Sequence, residues 1–140
     1  MQECSSPAGR WIAFVGKMKR NQAVEKQVFI VSPNGGPTRR ATDVAGGMTA
    51  NPRWHASGQW IVCAGPRNEI LATSVADTSF GKTIALTQPS QWPASNLVCS
   101  PDGSLVAYNR TIEGVKQIFL VSWLAPTNAN AGRMPALPEP

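Results

Sequence analysis

Six basic side chains, Lys17, Lys19, Arg20, Lys26, Arg39 and Arg40, fall in the first third of the chain. A cluster of one sign is how a surface takes up an anionic partner, here a phosphate backbone or an acidic polysaccharide. Residues 1–50 hold seven Lys or Arg against three acids while the remainder holds six against five, so the net charge of +5 sits early. No aromatic residue interleaves with the cluster as a nucleic-acid stacking surface requires. The plainer reading is therefore favoured: Lys17, Lys19, Arg20 and Lys26 sit in a long solvated loop between two strands, followed by Arg39 and Arg40 on an outer strand.

Other reactive residue types form no constellation. Cys4, Cys63 and Cys99 are odd in number and irregular in spacing, which does not make a disulfide framework. There is no Cys-x-x-Cys pair and His55 is the only histidine, so no metal site is expected. A serine triad would have to use His55 alone; neither a Gly-x-Ser-x-Gly elbow nor a glycine-rich phosphate loop before a helix is present. The acids Asp77, Asp102 and Glu113 are scattered among connections and turns. The sequence thus assigns no catalytic, cofactor-binding or metal residue, and no cofactor.

What the residues do show is a repeat. Ser6-Pro7-Ala8-Gly9-Arg10-Trp11-Ile12-Ala13-Phe14 is answered by His55-Ala56-Ser57-Gly58-Gln59-Trp60-Ile61-Val62-Cys63 and by Ser100-Pro101-Asp102-Gly103-Ser104-Leu105-Val106-Ala107-Tyr108. A second echo joins Gln27-Val28-Phe29-Ile30-Val31-Ser32, Glu69-Ile70-Leu71-Ala72-Thr73-Ser74 and Gln117-Ile118-Phe119-Leu120-Val121-Ser122, and a third pairs Thr42 with Thr87. A period of that length, filled with Val, Ile, Phe, Trp and Thr and punctuated by Gly, Pro, Asn and Ser, reads as about four short strands per unit. The fold class is all-β, a partial β-propeller of about three four-stranded antiparallel blades. Repeats span about 1–43, 44–88 and 89–124, and 125–140 is a proline-rich tail or linker. In the second repeat, strands are expected near Asn51 to His55, Gln59 to Ala64, Glu69 to Val75 and Thr83 to Thr87. The first repeat is expected to lack most of its inner strand and the third its outer one. Trp11, Trp60 and Leu105 fall at equivalent positions, as do Phe14, Cys63 and Tyr108, and interblade packing accounts for all six.

The Ser100-Pro101-Asp102-Gly103 turn followed by Leu105-Val106-Ala107-Tyr108 and Gln117-Ile118-Phe119-Leu120-Val121 resembles the TolB-type propeller repeat, which is similar to a WD repeat. The first copy has Ala8 where the aspartate would stand, and the second replaces Ser-Pro-Asp by His55-Ala56-Ser57. The resemblance implies a bacterial, periplasmic or envelope-associated scaffold used for protein contacts; the chain shows no signal-peptide core of its own. The reading favoured is a non-catalytic binding module that meets a protein, a peptide or a glycan. The alternative is the propeller portion of an enzyme, a prolyl-oligopeptidase-like peptidase or a polysaccharide lyase, with its catalytic residues outside this chain.

Three blades do not close a ring, since closed propellers use about four to eight. The chain is then part of a longer propeller, the reading put first, or half of a homodimer that completes a ring, with Phe119 expected on an exposed end face. Charged residues are only 15% of the chain, which also suits a surface that meets another surface. No segment approaches the roughly 18 apolar residues of a membrane span.

Overall fold

Asn21 (φ 49°) and Gln22 (φ 70°) both adopt the left-handed conformation that a two-residue hairpin turn requires. The chain reverses there without breaking the pairing on either side. The computed structural model describes residues 3–49, 52–75 and 82–123. Around that turn β2 (Ile12–Arg20) and β3 (Ala23–Val31) pair over nine residues each, from Ile12 opposite Val31 to Arg20 opposite Ala23. β1 (Glu3–Ser5) lies on one side and β4 (Arg39–Arg40) on the other, giving a four-stranded antiparallel blade in the order β1-β2-β3-β4. Two expectations are corrected by this hairpin. Lys17, Lys19, Arg20 and Lys26 stand on strands and not in a loop, and the inner strand of the first blade is present, with Ser5 opposite Ile12.

The second blade repeats the plan with β5 (Arg53–Trp54), β6 (Trp60–Ala64), β7 (Ile70–Ser74) and β8 (Thr83–Ala85). The third has β9 (Ala94–Cys99), β10 (Leu105–Ile112) and β11 (Val115–Ser122), with a register shift between Ala107 and Asn109 in the β9–β10 ladder. Here β11 is an edge: among the described residues no strand pairs with its outer side. The tail from 125 and Asp77 lie outside the described residues.

Strand alternation divides each blade into two faces, and both faces of the second blade are covered. Trp60, Val62, Ile70 and Ala72 pack with Val106, Tyr108 and Val121 of the third blade. Ile61, Cys63 and Leu71 pack with Ala13, Val28 and Ile30 of the first. The expectation for Phe119 is corrected as well: it stacks on Tyr108 at 5.6 Å and packs toward the second blade. Its neighbours Ile118 and Leu120 are the exposed ones.

Candidate functional site

The three turns that begin the repeated segments share one hydrogen-bonding plan. Ser6, His55 and Ser100 each donate a backbone N–H to a residue at the entry to the next strand, respectively the carbonyls of Trp11, Trp60 and Leu105, at 2.8, 2.8 and 2.9 Å. Gly9, Gly58 and Gly103 close each turn by donating N–H to the carbonyl of its first residue, and all three have φ between 71° and 79°, where a side chain would be strained. The Ser6 and Ser100 hydroxyls also accept backbone N–H groups, from Trp11 at 3.1 Å and from Leu105 at 2.9 Å. Side chain and backbone together therefore fix three rigid corners.

His55 departs from the serine pattern with a consequence. The Ser57 backbone N–H donates to Nδ1 at 3.1 Å, which makes Nδ1 the acceptor, so Nε2–H donates to the Gly103 carbonyl at 2.8 Å. That bond ties the second corner to the third. The ring is buried and meets Trp123 edge-on at 5.2 Å, and Trp123 in turn meets Trp60 at 5.4 Å. A His55 so occupied on both nitrogens is a structural link, as the turn position suggested.

The first and second corners leave a gap between them. A depression of about 340 Å³ is lined by Ser6, Pro7, Arg10, Trp11, Ser57 and Gln59. Arg10, Ser57 and Gln59 are exposed, and Trp11 is half-buried. The lining offers a guanidinium, an amide, hydroxyls and one indole face, and no carboxylate or imidazole that could move a proton. Beside the third corner a more open depression of about 450 Å³ is bounded by Asp102, Ser104, Leu105, Ser122 and Trp123. Asp102 accepts from the Ser100 hydroxyl at 2.7 Å and from the Ser104 N–H at 3.0 Å and hydroxyl at 2.7 Å. These bonds favour its charged form and bring its pKa down to about 2.

The six cationic residues are not one patch. Lys17 and Lys26 face each other across the β2–β3 ladder, with Lys19 on the same face, and all three are exposed. On the opposite face Arg20 is bound by Glu25 and Asp43, and Arg40 reaches Met18 Sδ at 2.7 Å and Asp43 at 3.7 Å. Arg39 points toward the second blade, donating to the Val75 carbonyl at 2.8 Å and lying 6.0 Å from the Trp11 ring centre. Only the three lysines remain together as a solvated cationic strip.

Of the cysteines, Cys63 is buried in the core and Cys4 and Cys99 are half-buried. Burial, with a smaller contribution from Cys4, pushes the Cys99 thiol up to about 12. Among the described residues no group of three or more His, Cys, Asp or Glu side chains is placed to hold a metal ion, and no helix is long and apolar enough to cross a membrane. Sequence reading missed the corner depression, because Arg10 and Gln59 occupy variable positions of the repeat and only their adjacency across two blades creates the hollow. It also missed Arg110, fully buried over the Tyr108 ring at 5.2 Å and donating to the carbonyls of Asn68, at 2.9 Å, and Trp92.

No family model matches the chain, and no curated protein does. Among solved structures the chain is similar to one from Agrobacterium tumefaciens assigned as TolB, with a TM-score of 0.67 and 19% identity over 87% of this chain and 46% of that one. The chain thus spans about half the length of that neighbour, and the architecture it shares with it is the TolB-like β-propeller.

Proposed function

We propose that the chain is a non-catalytic binding module, and that its ligand is an extended peptide segment of a partner protein received at the rim of turns. The observation that carries this reading is the depression between the first two corners, where Arg10, Trp11, Ser57 and Gln59 converge on one concave surface. The corners that frame it are held by backbone and side-chain bonds at Ser6 and His55, so the hollow is preformed and its occupant need not organise it. Guanidinium and amide groups suit the carbonyls and acidic side chains of a peptide, while the Trp11 indole supplies apolar area. The propeller architecture supports a scaffold of this kind; the identity of the partner is open to selection by experiment.

The test is selection of peptides from a displayed library on the immobilised 140-residue chain, followed by calorimetric titration. Arg10→Ala combined with Gln59→Ala should weaken a selected peptide by roughly tenfold or more, the worth of about one charged hydrogen bond. Selection of no peptide, or an affinity unchanged by the double substitution, overturns the reading.

A further inference from the structure

Each repeat gives one face to the blade after it and the other to the blade before it. On the following side, Val28 and Ile30 of the first blade and Ile70 and Ala72 of the second are 0% exposed, each pair covered by the next blade. The same two positions in the third blade are Ile118 and Leu120, and they are 75% and 63% exposed. Leu105, the counterpart of Trp11 and Trp60, and Val98 on β9 extend this bare apolar surface. On the preceding side, Ile61 and Cys63 of the second blade and Val106 and Tyr108 of the third are buried against the blade before. Their counterparts in the first blade are Ile12 and Phe14, which with Phe29 and Val31 are only partly covered. Phe14 stacks on Phe29 at 5.7 Å and 18° as Tyr108 does on Phe119 at 5.6 Å and 20°, so the partly exposed face of the first blade has the relief that a preceding blade meets elsewhere in the chain.

We propose that a second copy of this chain covers both ends. The Ile118–Leu120 face of each copy docks on the Phe14–Phe29 face of the other, twice, to close a two-fold ring of six blades. One chain carries both halves of the contact, the Ile118–Leu120 half exposed and the Phe14–Phe29 half partly exposed, and both halves are realised inside it at the two existing blade junctions. Three blades also span 46% of a neighbour with this architecture, so two copies approximate one such molecule. Six lies within the range of about four to eight blades that closed rings use. Contiguous apolar faces of this kind are otherwise liabilities for a free chain.

The test is light scattering coupled to gel filtration on the full chain between roughly 1 and 100 μM, a range that brackets ordinary dimer affinities. The expected mass is twice the 15.0 kDa of one chain. Ile118→Asp with Leu120→Asp alters side chains that are exposed in the single chain, so its fold should survive and its dimer dissociation constant should rise by roughly a hundredfold or more, because each junction would bury two unpaired carboxylates. Phe14→Asp on the other face should do the same. Mixing the two variants should restore a dimer, because the mixed pair regains one junction free of any substitution. Circular dichroism on each variant separates dissociation from unfolding. A 15.0 kDa mass for the wild type throughout, an Ile118/Leu120 variant that stays dimeric, or folded variants whose mixture stays monomeric overturns the proposal, and the first outcome hands the faces to further blades of a longer polypeptide. No peptide enters this measurement, so its failure and failure of the rim reading are told apart.

Discussion

His55 stands where the other two turns carry serine, and its imidazole spans a gap that a hydroxyl cannot. It keeps the local turn through Nδ1 and reaches the Gly103 carbonyl through Nε2. Substituting His55→Ser should preserve the corner and lose the bridge, destabilising the chain by about 1–3 kcal/mol through the abandoned carbonyl and the lost ring packing on Trp123. Urea unfolding of the two proteins measures it. Asp102 works the other way round, bonding entirely within its own turn. Its folded pKa of about 2 lies below the ordinary aspartate value of 3.8, so its contribution is full above that ordinary value and is lost as the pH falls toward 2. Asp102→Ala should lower the melting temperature at pH 7, and the gap from wild type should narrow steadily between about pH 4 and 2. Cys99, with its thiol pushed up to about 12, is neutral at pH 8 and should react with a thiolate-selective reagent far more slowly than a free thiol of ordinary pKa. The turn role of His55 was legible from its place in the repeat. Its contact with Gly103 was not, since 48 residues separate the two and only the stacking of blades joins them.

Thr42 and Thr87 show how much a sequence echo can mean. Their 45-residue separation marked only a period, yet each hydroxyl accepts the N–H of a buried residue on the third strand of its blade, Val28 and Ile70, at 2.9 Å. The neighbouring Ala41 and Leu86 donate back to the carbonyls of the same two residues at 2.8 Å. The threonine thus continues the ladder where the fourth strand runs out. Thr87→Val keeps the shape and removes the acceptor, leaving a buried N–H without its partner at a cost of about 1–3 kcal/mol. Thr42→Val should cost more, because the Thr42 hydroxyl also donates to Gln27 Oε1 at 2.6 Å. Denaturant midpoints for the two variants give the comparison. The β2–β3 hairpin was the element least legible beforehand. Lys17, Lys19 and Lys26 put charge where apolar residues mark strands elsewhere, and the tight Asn21–Gln22 turn extends the ladder through them regardless.

Burial is uneven across the three blades, and stability should follow it. The strand Trp60–Ala64 is buried at every residue because it has a blade on each side, whereas within a single chain Val115–Ser122 has an open face and, among the described residues, an open edge. Amide exchange should therefore be slowest along Trp60–Ala64 and Ile70–Ser74 and fastest at the amides of Val115–Ser122 that point away from Leu105–Ile112. Exchange followed by NMR would show it, and uniform protection across the blades would contradict the packing. At this level the sequence carried the most: three copies of one pattern implied three blades, and the described residues form three. The sense of each face was hidden, because Ile118 and Phe119 are equally apolar neighbours and strand register alone sends one to the outside and the other to the core.

The middle blade is joined to its neighbours by two different surfaces, one used toward the first blade and the other toward the third. A unit with such a front and back behaves as a tile: a gene in which residues 44–88 are written twice in tandem would encode a chain whose added blade keeps one existing junction and sets Trp60, Val62 and Ile70 against Ile61, Cys63 and Leu71 at the other. The same property lets the length of an array change by whole blades through duplication, with the one new junction formed between a back and a front that each already pack on a blade in this chain.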